Sequence, residues 1–128
     1  MARTRLDLKY TFDCDAKNLF LALTTPEYMQ NWLAERVVKD DETGVYTFYW
    51  RDFAESAVIE IQKPKQYLKW KWIASDREKD DFIEFRIDTI AGDDLLDLYI
   101  TDFCDQGEEK QVRKGWDKQM QKLESVVR

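Results

Sequence analysis

Residues 57–72, AVIEIQKPKQYLKWKW, contain two runs rich in β-branched and aromatic residues, the second alternating with lysine from Leu68 to Trp72, on either side of Pro64-Lys65. Alternation with a period of two is typical of strands that bury one face, and a Pro-Lys pair between two such runs predicts a turn. Apolar side chains then share one face and charged side chains the other, so the sequence predicts an antiparallel hairpin. The predicted cross-strand pairs are Ala57 with Trp72, Ile59 with Trp70, and Glu60 with Lys69.

The segments around this hairpin continue the same pattern. A turn at residues 75–80 predicts a second hairpin that pairs Trp72 with Ile83, Trp70 with Phe85 and Leu68 with Ile87. A turn at Gly92 predicts a third hairpin that pairs Phe85 with Ile100 and Ile87 with Leu98. We therefore expect six strands in meander order from about residue 36 to residue 103, preceded by a strand at residues 6–12.

Two short helices are predicted between the first strand and the meander. Asp13 or Asp15 is placed to cap the first helix, because Asp side chains accept hydrogen bonds from free N–H groups at helix starts. Thr25-Pro26-Glu27 begins the second helix, with Thr as cap and Pro at the first helical position. The residues that we expect these helices to bury are Leu19, Phe20, Leu23, Met29, Trp32 and Leu33.

A long helix is predicted from about residue 108 to residue 127. At about 1.5 Å per residue it spans roughly 30 Å, which is enough to cross a sheet. Gly115 inside it has two interpretations, close approach of a ligand to the helix backbone or close packing of the helix on the sheet. The apolar stripe of this helix consists of Val112, Trp116, Met120, Leu123 and Val127.

The order of these elements and two local strings resemble the START-like, pollen-allergen-like helix-grip superfamily. Residues 19–27, LFLALTTPE, with Trp32-Leu33 after them, are similar to the ALT-x-PE…W stretch of the branch homologous to the heat-shock-chaperone ATPase activator. Lys114-Gly115-Trp116, followed by Met120 and Leu123, resembles the GW…L terminal helix of that branch. The resemblance implies one α+β domain over residues 1–128, in which a curved antiparallel seven-stranded sheet carries the long C-terminal helix on its concave face.

Composition argues against several classes of function. The net charge of −6 disfavours nucleic acid and anionic membranes as partners, and no apolar stretch is long enough for membrane insertion. Trp70 and Trp72, interleaved with Lys69 and Lys71, have the residue types of a base-stacking surface, but an amphipathic strand accounts for the same pattern. The acidic runs at 40–42, 76–81 and 93–94 lack calcium-loop spacing and are expected on turns.

Catalytic and metal-binding groups are scarce. The chain has no His, which removes the usual general base near neutral pH, and its two Cys lack metal-ligand spacing. The sequence also lacks a glycine-rich phosphate loop and a nucleophile elbow. We therefore expect no catalytic residues, no metal, no cofactor and a cytoplasmic location, and leave open an enzyme that relies on a perturbed Asp, Glu or Tyr.

The leading hypothesis is a non-catalytic binding domain that holds a small, largely apolar ligand between the concave sheet face and the last helix. Small-molecule pockets combine aromatic walls with a few polar groups, which matches the residues expected inside. The alternative is a protein-interaction module with a filled core, with a chaperone-like partner as the resemblance implies. The candidate lining residues are Trp32, Phe48, Trp50, Trp70, Phe85, Leu98, Trp116 and Met120.

Glu55 is a further candidate, and its orientation depends on one turn. If Arg51-Asp52 is a two-residue turn, Phe48 faces Glu55, and a carboxylate joins the concave aromatic face. A carboxylate in such a place needs a partner or a raised pKa, so it would mark a polar position in the ligand site. A longer turn or a bulge reverses the parity and points Glu55 outward.

Overall fold

Seven antiparallel strands form one sheet. The computed structural model describes residues 3–73, 82–91 and 95–127. The predicted turns at residues 75–80 and at Gly92, and the acidic runs at 76–81 and 93–94, lie outside these ranges. The elements are β1 (Arg3–Phe12), α1 (Ala16–Thr24), α2 (Pro26–Met29), β2 (Arg36–Lys39), β3 (Val45–Tyr49), β4 (Ala54–Lys63), β5 (Tyr67–Trp72), β6 (Phe82–Ala91), β7 (Leu95–Asp105) and α3 (Glu109–Val127).

The strand order confirms the predicted meander and fold class. The order is β1-β7-β6-β5-β4-β3-β2, so β2 to β7 follow one another and β1 joins the far edge beside β7. Alternate residues of each strand turn to the concave face, where α1, α2 and α3 cover them. This arrangement is an α+β helix-grip fold. No helix in the described ranges is both long enough and apolar enough to cross a membrane.

The β4–β5 hairpin follows the predicted register except at one position. Ala57 lies opposite Trp72 and Ile59 opposite Trp70, and Lys65 takes the left-handed turn conformation at φ 67°. The pairing of Glu60 with Lys69 is wrong, because an irregularity after Ile59 places Ile61 opposite Lys69. Glu60 nevertheless reaches Lys69, with 3.4 Å between its Oε1 and the lysine Nζ.

The predicted register of the β5–β6 hairpin is wrong by two residues. Trp70 lies opposite Ile83 and Leu68 opposite Phe85, whereas the β6–β7 pairs Phe85 with Ile100 and Ile87 with Leu98 are confirmed. The connection from Trp72 to Phe82 is longer than a tight turn, so turn geometry does not fix the pairing there. A shift of two residues keeps every side chain on its predicted face.

The two short helices have the predicted start signals. Asp15 caps α1 by accepting a 2.7 Å hydrogen bond from the Asn18 N–H, whereas Thr25 precedes α2 without a side-chain cap bond. Trp32 and Leu33 are buried as predicted, although they follow α2 rather than belong to it. The Trp32 indole N–H donates to the Ala22 carbonyl at 2.8 Å, which ties this segment to α1.

Gly115 lies on the exposed side of α3, and both interpretations of it are wrong. A Cβ at this position would meet nothing within 4 Å. We expect Gly115→Ala to stabilise the protein by about 0.5–1 kcal/mol, because Gly lowers helix stability by that amount relative to Ala. The urea midpoint should rise, and a lower midpoint would mean that a second surface covers this side of the helix.

The two cysteines lie at opposite ends of the β1–β7 pair. Cys104 lies opposite Thr4, whereas Cys14 follows Phe12, and the step from Thr4 to Phe12 spans roughly 26 Å at about 3.3 Å per residue. A disulfide requires Cα atoms within about 7 Å. Burial, with lesser contributions from Asp15 and Asp13, also raises the pKa of Cys14 to about 11, which disfavours the reactive thiolate.

We therefore expect two free thiols in the folded monomer after mild oxidation. Thiol titration in denaturant after such treatment should count two per chain. An intramolecular Cys14–Cys104 bridge found by mass spectrometry would contradict the strand order.

Candidate functional site

Aromatic rings fill the space between the centre of the sheet and α3. The Trp70 ring lies 5.4 Å from the Phe48 ring and 5.4 Å from the Phe85 ring, measured between centroids. Phe85 in turn contacts Trp116 of α3 edge-on at 6.0 Å. These four side chains are buried in the main core cluster, so protein atoms occupy the region where the sequence hypothesis placed a ligand.

The nine predicted site residues are not all equally accessible. The side chains of Trp50 and Glu55 are half-buried. The other seven are buried in the core cluster, and they are Trp32, Phe48, Trp70, Phe85, Leu98, Trp116 and Met120. The structure therefore gathers the predicted residues along one concave face, but it leaves a few of them within reach of a molecule from outside.

The Arg51-Asp52 turn has the two-residue form that places Glu55 on the concave face. The Trp50 N–H donates to the Phe53 carbonyl at 2.8 Å, and Phe48 lies directly opposite Glu55. The alternative of a longer turn or bulge is therefore wrong.

A pocket of about 420 Å³ opens at the end of the sheet next to this turn. We call it the mouth pocket; it is lined by residues 30–35, by residues 50–53 and by Lys122 of α3. Two of the predicted residues, Trp32 and Trp50, belong to it. The mouth pocket therefore lies where the strands β3 and β4, the segment after α2 and the last helix come together.

Stacked rings and fixed backbone groups shape the mouth pocket. Phe53 stacks on Trp50 with 4.9 Å between ring centroids and an angle of 21° between ring planes. The Trp50 indole N–H donates to the Leu33 carbonyl at 2.9 Å, and the Gln119 side-chain amide of α3 reaches the same oxygen at 3.4 Å. The Phe53 side chain is 57% exposed, which is high for a Phe and leaves one face of the stack open to a ligand.

The rim of the mouth pocket is polar but balanced in charge. Arg51 and Lys122 contribute positive charge, Glu35 and Asp52 contribute negative charge, and Gln30 and Asn31 are neutral. The Gln30 side-chain oxygen accepts a 3.0 Å hydrogen bond from the Val37 N–H, which fixes one side of the rim. A balanced rim favours a neutral or zwitterionic ligand over one with a large net charge.

Sequence reasoning missed two notable residues, Phe53 and Asp102. Phe53 lies across the Arg51-Asp52 turn from Trp50, but the predicted site does not include it. Asp102 is only 7% exposed and accepts a 2.9 Å hydrogen bond from the Trp116 indole N–H. The signal for Asp102 was present, because the inward positions of β7 continue from Leu98 and Ile100 to Asp102.

The phenols of Tyr46 and Tyr67 have raised pKa values and are not bases near neutral pH. Burial raises the pKa of Tyr46, whose hydroxyl donates to the Thr24 carbonyl at 2.7 Å. Burial and a hydrogen bond to Glu84 raise the pKa of Tyr67 to about 12. Both phenols are therefore protonated near neutral pH. In the described ranges no three His, Cys, Asp or Glu side chains are grouped as metal ligands.

Comparison with known proteins agrees with this architecture. The fold is similar to the Aha1 dimer of Colwellia psychrerythraea (TM-score 0.80, 11% identity, 97% of this chain and 96% of that one). It is also similar to the BfR322 protein of Bacteroides fragilis (TM-score 0.63, 27% identity, 98% and 92%) and to CalU16 of Micromonospora echinospora (0.72, 19%, 97% and 74%). No curated protein matches the sequence. A family model described as the START-like superfamily domain matches residues 1–128, so the chain belongs to the START-like superfamily.

Proposed function

We propose that this domain binds a small, largely apolar molecule between the sheet and α3, and that the molecule enters at the mouth pocket. The observation that carries the proposal is the open Trp50–Phe53 stack in a 420 Å³ pocket. Ligand pockets of several hundred Å³ with aromatic walls and a few polar groups are typical small-molecule sites. The balanced rim supports a neutral or zwitterionic molecule.

The mouth pocket is a better place for initial binding than the middle of the sheet. Phe48, Trp70 and Phe85 are almost completely buried, and a ligand would have to displace one of them before it made any contact. A flat molecule can stack on Phe53 without such a rearrangement. The predicted residues deeper in the core then serve as the inner wall of the site, which a ligand reaches only after side chains at the mouth have moved.

A direct test is the affinity of a flat three-ring probe, 9-fluorenone, for wild-type protein and for Phe53→Ala. We expect the variant to bind about twofold to tenfold more weakly, because stacking between aromatic rings contributes about 0.5–1.5 kcal/mol beyond buried area. The matched control is Tyr49→Ala, which removes a 40% exposed aromatic residue from the opposite face of the same hairpin. The dissociation constant is measured by NMR titration.

Equal weakening by Phe53→Ala and Tyr49→Ala would contradict the proposal, because it would show adsorption to exposed rings in general. Absence of saturable binding up to the solubility limit of fluorenone would contradict it as well.

A second candidate function is a protein-interaction module with a chaperone-like partner. The filled core favours it, as do the exposed side chains of Leu21 (39%) and Tyr28 (45%), which flank a small cavity beside Val126. The fold likeness to an Aha1 protein is consistent with it. The test is the ATPase rate of purified bacterial heat-shock chaperone with and without this protein. Stimulation that Leu21→Ser abolishes would support this function, and an unchanged rate would exclude it.

A further inference from the structure

Trp70 has a buried hydrogen-bond donor that the residues described by the structure do not satisfy. Its side chain is 2% exposed, and its indole N–H has no hydrogen-bond partner among the described residues. A buried donor without an acceptor destabilises a protein, and native structures rarely contain one without a reason. The indoles of Trp32, Trp50 and Trp116 differ in this respect, because each donates to a nearby oxygen.

The surroundings of Trp70 provide rings rather than acceptors. Its neighbours on the concave face include Tyr46, Phe48 and Phe85, with ring centroids 6.5, 5.4 and 5.4 Å away. The Tyr46 hydroxyl is directed elsewhere, because it donates to Thr24. An acceptor that reaches the Trp70 N–H is therefore surrounded by apolar rings, where an ionised oxygen would be costly to bury.

A continuous series of ring contacts leads from the mouth pocket to this donor. Phe53 stacks on Trp50, Trp50 lies 6.0 Å from Phe48, and Phe48 lies 5.4 Å from Trp70. Trp50 is only half-buried, so the outer part of the series borders the pocket. A flat molecule that follows this series inward would have to rotate the Trp50 and Phe48 side chains and replace their ring contacts with its own. Side-chain rotations of this kind are common on binding.

We infer, on the basis of the proposed function, that the ligand is a polycyclic or aromatic molecule with an uncharged oxygen acceptor, and that the Trp70 indole N–H binds this oxygen. A ketone, ether or hydroxyl oxygen has the required chemistry. The contact makes Trp70 a specificity-determining residue, because a buried donor discriminates against a ligand that lacks the acceptor.

The test compares two flat probes that differ in one functional group, 9-fluorenone, which has a carbonyl oxygen, and fluorene, which has a CH₂ group in its place. Burial of apolar area alone favours fluorene. We expect wild-type protein to bind fluorenone about tenfold or more tightly than fluorene, since the carbonyl satisfies the buried donor. In Trp70→Phe the dissociation constant of fluorene divided by that of fluorenone should fall to about one or below. Tyr46→Phe, which removes a hydroxyl from the same region but leaves the Trp70 N–H in place, should keep the preference.

A second readout is the indole ¹H–¹⁵N signal of Trp70, which is assigned in wild-type protein by triple-resonance NMR. This signal should move downfield with fluorenone and not with fluorene, and the readout stays decisive even if Trp70→Phe fails to fold. Equal binding of both probes, a preference that persists in Trp70→Phe, or an unmoved Trp70 signal would overturn the inference and leave the proposed function intact. Absence of binding by both probes would overturn the proposed function and the inference together.

Discussion

Trp116→Ala should lower the free energy of unfolding by about 3–5 kcal/mol, which is the usual effect of removing a large aromatic residue from a core. Trp116 is buried on the inner face of α3 and contacts Phe85 edge-on. Its indole N–H also donates to Asp102, so the variant opens a cavity and removes a hydrogen bond from a buried carboxylate. Chemical denaturation monitored by circular dichroism measures the change.

Two variants of the same helix serve as controls for this prediction. Lys118→Ala changes an exposed residue of α3 and should stay within about 0.5 kcal/mol of wild type. Trp116→Phe keeps a ring but loses the N–H, so its stability should lie between those of wild type and Trp116→Ala. An unchanged midpoint for Trp116→Ala would place this side chain on the surface and contradict the packing of α3 on the sheet.

Phe48→Ala should also destabilise the protein by about 3–5 kcal/mol, because Phe48 is completely buried at the centre of the ring contacts. The variant should contain an apolar cavity, and such cavities bind benzene. We therefore expect benzene to raise the denaturation midpoint of Phe48→Ala and to leave that of wild type nearly unchanged. Tyr49→Ala, one residue further along β3 on the exposed face, should have a much smaller effect on stability.

This experiment decides whether the interior of wild-type protein is filled. A cavity already present beside Phe48 would give a different result. Phe48→Ala would then lose little stability, and benzene would raise the denaturation midpoint of wild type as much as that of the variant. That result would favour a ligand enclosed at the centre of the sheet over one that enters at the mouth pocket.

The strands could be predicted from the sequence because side-chain alternation is strong and local. The inward residues of β5 are all large and apolar, and they are Leu68, Trp70 and Trp72. A shift of two residues against β6 keeps them on the same face. The same tolerance explains why the β5–β6 register could not be predicted. The irregularity after Ile59 could not be predicted either. The sequence alone does not show whether Glu60 or Ile61 lies opposite Lys69.

The candidate site was less predictable than the fold. Alternation shows which side chains point inward, but it does not show whether they leave space between them, because the volume depends on how three or more elements pack together. Phe53 was not included in the predicted site although it lies directly across the turn from Trp50. That the Trp70 N–H has no partner within the described part of the chain depends on the position of every neighbouring oxygen, which no pattern in the sequence specifies.

Intermolecular nuclear Overhauser effects between fluorenone and the protein show where the ligand binds. We predict contacts from the probe to the rings of Phe53 and Trp50 and to the side chain of Lys122, which line the mouth pocket, and further inward to the ring of Trp70. Contacts confined to the outer face of the sheet, such as the ring of Tyr99 between Lys9 and Arg86, would contradict this prediction.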